Sequence, residues 1–257
     1  MAEVFLDGPG MAAHSEEQIK QELLALKNPA MLKSRLAKID EVHDFRRIYV
    51  MGCGRSGTWL LAGLFATYAD LEIIPRELSV EHFGLYTTKK KVLLLKRDHA
   101  AYARIEWIPS RIEIVYIIRH PFDVLTSHNP ATQSIYHIEP YRWLNEILAL
   151  QYLLDSKRDH TTIIKYEDLV QEPHNSQTFI AEKLKLGISH PVEMLDKVFQ
   201  PGAGTIKAMQ GLRPIDTNSI GKYKKDPAKI TYLKRIRPRL GRLLDWVGEE
   251  YGYDVSL

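Results

Sequence analysis

The chain has 257 residues, 45% apolar and 26% charged, enough for a substantial core within one domain. Its formal net charge of +3 gives no bulk case for a nucleic-acid or membrane-surface binder. A single cysteine, Cys53, excludes an internal disulfide and a multi-cysteine metal site.

Residues 1–14 read as irregular. Ser15-Glu16-Glu17-Gln18 is a capping-box pattern, and Ile19, Leu23 and Leu26 follow at helical spacing until Asn28-Pro29 stops the helix. Leu32, Leu36 and Ile39 mark a second short helix. This part carries no visible chemistry. No basic stretch precedes a long apolar one, and no run approaches the about 18 apolar residues of a membrane span. The expectation is a soluble, cytoplasmic protein with no export signal and no integral membrane segment.

The stretch 46–61 is the most informative. Residues 48–51 are a buried strand in pattern, Gly52, Gly54 and Gly57 then interrupt regular structure, and residues from Thr58 onward are apolar at helical spacing to about 68. Strand, glycine loop and helix is an arrangement that holds a phosphate, because glycines let backbone N–H groups approach an anion. The loop departs from the nucleotide-triphosphate pattern: Thr58 stands where its lysine belongs, and the cation is Arg55.

Further on, 71–74 is a short extended run ended by Pro75, with Glu77 just beyond. Residues 92–95 form another buried strand, with Lys96, Arg97, Asp98 and His99 at its end. A third clear strand covers 113–119, closed by His120-Pro121, and Pro121 opens a helix with Asp123 in its first turn. Residues 128–138 read as a loop. Trp143, Ile147, Leu150 and Leu154 define a long amphipathic helix, and 161–165 is a β-branched strand closed by Tyr166-Glu167-Asp168. Helices follow near 174–186 and 190–199, and then a polar loop over 200–222. Asp226-Pro227 opens a last helical region with an expected break at Pro238.

Strands separated by helices predict an α/β fold of three layers, a mainly parallel central sheet flanked by helices. Ligands bind at the C-terminal strand ends of such sheets, and Arg55, Lys96, His99, Arg119 and Tyr166 all fall there. The domain expectation is one unit over 1–257: an N-terminal helical extension (1–45), a core (46–225) and a C-terminal helical region (226–257).

The loop Gly54-Arg55-Ser56-Gly57-Thr58-Trp59 resembles the 5'-phosphosulfate loop of sulfotransferases that use 3'-phosphoadenosine 5'-phosphosulfate (PAPS), in its bacterial and carbohydrate-type form. The stretch Arg119 to Ser127, with Pro121 and Asp123-Val124 inside it, looks like that family's 3'-phosphate motif. Tyr166-Glu167-Asp168 is similar to a segment that lies near the adenine, and Ser219 to Lys224 resembles a late loop that closes over the 3'-phosphate, with Tyr223 in place of Trp. The Arg-Lys-Gly usual upstream is missing, although Arg213 lies nearby. The resemblance implies a P-loop-NTPase-like sulfotransferase fold and transfer of a sulfuryl group to a hydroxyl of a carbohydrate or other small metabolite. It implies Arg55, Ser56, Gly57, Thr58, Trp59, Arg119, Ser127, Tyr166 and Lys222 as PAPS-binding residues. Arg55 would also act in catalysis, and Glu77 or His99 would be the general base, with His82 and Asp98 as lesser candidates. Neither metal nor nucleic acid enters this scheme. The rival readings are a P-loop small-molecule kinase using ATP and Mg²⁺, and a non-catalytic nucleotide-binding protein of the same fold.

Overall fold

The computed structural model describes residues 39, 44–98, 101–128, 135–202, 206 and 215–257. The helix expected after Ser15, and that around Leu32, lie outside these residues, apart from the buried Ile39.

Five extended runs form one sheet: β1 (Arg46–Met51), β2 (Leu71–Leu78), β3 (Val92–Arg97), β4 (Ile112–Ile118) and β5 (Thr161–Lys165). Their order is β2-β3-β1-β4-β5, and every pairing is parallel. β1 is central, with Val50 opposite Lys96 on one side and Val115 on the other. The chain leaves β1 towards one edge, returns, and then builds the other half. The loop after β1 therefore lies at a topological switch point, where open α/β sheets bind ligands.

Among the described residues the α-helices include α1 (Thr58–Leu64), α2 (Pro121–Leu125), α3 (Pro140–Lys157), α4 (Tyr166–Gln171), α5 (Pro173–Leu184), α6 (Leu195–Val198) and α7 (Pro227–Tyr251). Pleating sends alternate strand residues to opposite faces. Ile48, Val50, Leu94, Val115 and Ile117 join Leu61 and Leu64 of α1 and Ile180 of α5 in one core. Tyr49, Met51, Leu93, Leu95, Ile114 and Tyr116 join Trp143 and Leu150 of α3 and Leu240 and Leu244 of α7 in the other. Both faces are apolar, which is why the strands read as continuous rather than alternating runs. Among the described residues no helix is long and apolar enough to cross a membrane.

Three expectations need correction. The extended run at 71–74 does not stop at Pro75. β2 continues to Leu78, with a register shift between Ile73 and Glu77. β2 is an edge strand, where a proline and a bulge are tolerated because one side of the backbone has no ladder partner. The first helix is shorter than 58–68. It ends at Leu64, and Phe65–Thr67 tighten into a 3-10 turn in which the Thr67 hydroxyl donates back to Leu64 O at 2.7 Å. The break in α7 falls at Gly241 (φ 52°, ψ −144°) rather than at Pro238. Pro238 is exposed and removes one donor, whereas glycine can turn the backbone out of the helical region.

Candidate active site

The loop between β1 and α1 is shaped by two glycines at which a side chain would collide with its neighbours. Gly52 has φ 143°, and a Cβ there would lie 2.5 Å from Ile117 O; Gly57 has φ 98°, and its Cβ would lie 2.5 Å from Tyr166 Cδ2. Arg55, between them, is itself left-handed at φ 69°. A non-glycine residue there costs about 1–2 kcal/mol, and such strain gathers at functional sites. The Ser56 hydroxyl donates to Cys53 O at 2.6 Å and is buried, so it holds the loop's own turn. Thr58 is also buried.

The Arg55 side chain reaches across to the segment that follows β4, the strand paired with β1. Its Nε donates to Ser127 Oγ at 3.0 Å. Ser127 lies just past α2, not on it, because that helix ends at Leu125. Arg119, directly after β4, donates from Nη1 to Arg55 O at 3.1 Å and from Nη2 to Ser219 O at 2.5 Å. Its guanidinium lies 4.3 Å from the Tyr166 ring centre. The Arg119 Nε is buried and has no hydrogen-bond acceptor among the described residues. Burial first, and then the Arg119 charge, hold the Arg55 guanidinium below its ordinary pKa. Two arginines this close, one with an unused buried donor, fit a polyanion.

Tyr166 is buried between Gly57 and Arg119, and its hydroxyl is bonded to Ser219 Oγ. The late segment is held by Asp123 of α2, which accepts from Gly221 N at 2.7 Å and Tyr223 N at 3.4 Å. Lys222 is exposed on the 3-10 turn Lys222–Lys225 that follows.

On the other side of β1, the β2 and β3 register sets Glu77 opposite Lys96. Their side chains form an ion pair, with Lys96 Nζ 4.5 Å from the Trp59 ring centre. The lysine is 3% exposed and the glutamate 49%. Burial pulls the Lys96 ammonium down to about 8, although Glu77 opposes it. Burial alone would raise the Glu77 carboxyl, but the Lys96 charge and hydrogen bonds from Lys96 and the Trp59 indole hold it below its usual range. His99 and Arg213 lie outside the described residues. His82 bonds to Ser79 Oγ at 2.9 Å, and Asp98 pairs with Arg104 at 3.3 Å.

No protein-family model matches the chain, and no curated protein matches it by sequence. Solved structures do. The sulfotransferase domain from the curacin biosynthetic pathway superposes with a TM-score of 0.59 at 14% identity, covering 82% of this chain and 99% of that one. The sulfotransferase domain from the Synechococcus PCC 7002 olefin synthase gives 0.59 at 17%, covering 84% and 98%. The chain has the sulfotransferase fold.

Within this sulfotransferase fold, several contacts of the site carry no sequence signal. Asp123 reads as a helix-start carboxylate, yet it holds a segment about a hundred positions away. Arg97, 3% exposed, pairs with the 1% exposed Glu146 of α3 at 3.0 Å. Burial pushes the Glu146 carboxyl up, and Arg97 and Arg142 oppose it. Ser127, expected to share an anion with Arg119, also accepts from Arg55, a bond that joins the two motifs directly.

Proposed function

We propose that the protein is a sulfotransferase that moves the sulfuryl group of PAPS to a hydroxyl of a carbohydrate or another small metabolite. The observation that carries this reading is the convergence of Arg55, Ser127 and Arg119 from two separate strand ends into one hydrogen-bonded cluster. A single phosphate cradle would suit any nucleotide. A cradle with a second arginine tied to it suits an adenosine phosphorylated at two positions.

The roles follow from charge and position. Backbone N–H groups of residues 56–59 hold the 5'-phosphosulfate, with Thr58 assisting. Arg55 neutralises charge that builds on the sulfuryl oxygens and on the leaving phosphate oxygen. Arg119 and Ser127 hold the 3'-phosphate, Lys222 closes over it, and Tyr166 supports the adenine end. The acceptor oxygen forms its bond to sulfur as the bond from sulfur to the 5'-phosphate oxygen breaks, and the hydroxyl proton passes to a general base. Glu77 is the first candidate by position: it stands half exposed near the C-terminal end of β2, beside Lys96 and within reach of the Trp59 indole, where an acceptor hydroxyl can approach it. His99 is the second candidate.

The test is a comparison of ligands on the whole chain. Adenosine 3',5'-bisphosphate (PAP) raises the melting temperature, ATP with Mg²⁺ does not, and ³⁵S passes from labelled PAPS to members of a hydroxyl panel. Stabilisation by ATP-Mg alone would assign the site to a kinase. PAP binding without transfer to any acceptor would leave a nucleotide-binding protein.

A further inference from the structure

Gly54 stands at the crown of the phosphate loop, and the guanidinium of Arg142 stands over it. A Cβ at Gly54 would lie 2.9 Å from Ile138 Cδ1 and 3.2 Å from Arg142 Nη2. The Arg142 side chain is 24% exposed, and its Nε is buried with no hydrogen-bond acceptor among the described residues. The nearest carboxylate oxygen, on Glu146, is 3.9 Å from that nitrogen. The same carboxylate lies 3.0 Å from the buried Arg97. Two guanidinium groups thus share one carboxylate. The other charged groups of this corner are matched elsewhere: Lys96 with Glu77, and Arg104 with Asp98 at 3.3 Å and Glu81 at 3.5 Å.

A second polar group meets the same place. The His137 backbone N–H donates to the Ser127 backbone O at 3.0 Å, which ties the residue to the serine that holds Arg55. Its Nδ1 is buried and without a partner among the described residues. Burial, Arg142 and Arg55 hold its pKa below the ordinary histidine value while Glu77 opposes them, so the ring is neutral, and its Nδ1–H tautomer turns that nitrogen into a donor for an incoming anion. Buried donors without acceptors are costly, and a ligand that supplies acceptors relieves the cost.

The loop has two sides. Gly57 faces Tyr166 beneath Arg119, the side assigned above to the nucleotide. Gly54 faces Ile138 and Arg142, which come from the opposite layer, and Glu77 acts on His137 there. We propose that Arg142 and His137 form an oxyanion subsite for the acceptor, so that the substrate carries a carboxylate or sulfate ester near the hydroxyl that is modified. This deepens the sulfotransferase reading and rests on it.

Calorimetry on the PAP-loaded full chain tests it with matched neutral and anionic probes. The carboxylate arm uses galactose against galacturonate and methyl 4-hydroxybenzoate against 4-hydroxybenzoate. The sulfate arm uses N-acetylglucosamine against its 6-sulfate. The anionic member of at least one pair binds about tenfold or more tighter to the wild type, as charge-assisted bonds require. Arg142→Met abolishes the difference, Arg142→Lys retains part of it, and His137→Gln reduces it. Arg142→Met leaves the Arg97–Glu146 pair in place; should it not fold, the Arg142→Lys and His137→Gln variants decide. Equal binding within every pair, or no binding of any probe, overturns the subsite. Loss of PAP affinity in Arg142→Met also overturns it, because the anion would then be the nucleotide's own. Failure of PAP to bind the wild type is a separate outcome that removes the sulfotransferase reading and this inference with it.

Discussion

Glu77→Gln is the perturbation with the sharpest consequences. It keeps the shape of the side chain and removes the charge that faces the buried Lys96. Removing one partner of a fully buried pair costs about 3–5 kcal/mol. Glu77 is half exposed, so solvent screens the pair and about 1–2 kcal/mol is expected. That loss falls on the charged form of Lys96 and corresponds to about one pKa unit, from about 8 in the wild type towards about 7. In the wild type the folded lysine releases its proton at about 8 and the unfolded one at 10.5. Lys96 therefore disfavours folding below pH 8, and this penalty is lifted as the pH rises towards 10.5. At about pH 6 the variant should melt about 2–8 °C below the wild type, and near pH 9.5, where Lys96 is neutral in both, the gap should shrink. Titration of ¹³C-labelled lysine side chains by NMR, with Lys96→Met to assign the signal, reads the pKa directly without any acceptor. Sulfuryl transfer in the same variant should fall at least about 100-fold if Glu77 takes the proton. An unmoved Lys96 titration, or an equal melting gap at both pH values, would refute the electrostatic argument. Unchanged turnover, with loss in His99→Ala, would move the base to His99.

Arg119→Ala should weaken PAP binding at least about tenfold, because a charge-assisted contact of about 1.5–3 kcal/mol is lost, and should lower saturated turnover less. Calorimetry with unaltered PAP affinity would remove Arg119 from the anion site. Gly57→Ala should destabilise the fold by about 3 kcal/mol, from a strained φ and overlap with Tyr166. Gly221→Ala is its control: φ is 66° but nothing lies within 4 Å of the added Cβ, so only about 1 kcal/mol of backbone strain is expected in denaturant melts. Glu146→Gln should destabilise by about 3–5 kcal/mol, since Arg97 would be left charged and 3% exposed without its carboxylate; chemical denaturation at neutral pH checks this.

The sequence by itself determined the layers of the molecule and the position of the glycine loop between β1 and α1. Runs of β-branched and aliphatic residues bounded by glycine, proline or charge are local signals, and a parallel sheet buried on both faces needs nothing more to be legible. Arg55 and Arg119 were visible for the same reason: one lies in the glycine loop after β1, the other directly after β4, and parallel strands deliver such residues to one edge. Local signals also misled where context overrides them. Pro75 reads as a stop, but an edge strand accepts it, and Pro238 reads as a break that Gly241 makes instead. What only the tertiary structure decided is which of the collected groups touch. Glu77 meets Lys96 because a bulge resets the register of β2, Ser127 reaches Arg55 because α2 is short, and Arg142 comes over Gly54 because α3 packs on that face of the sheet. Such pairings depend on strand register and helix placement, which are set by packing over the whole core and leave no trace in the spacing of the residues themselves.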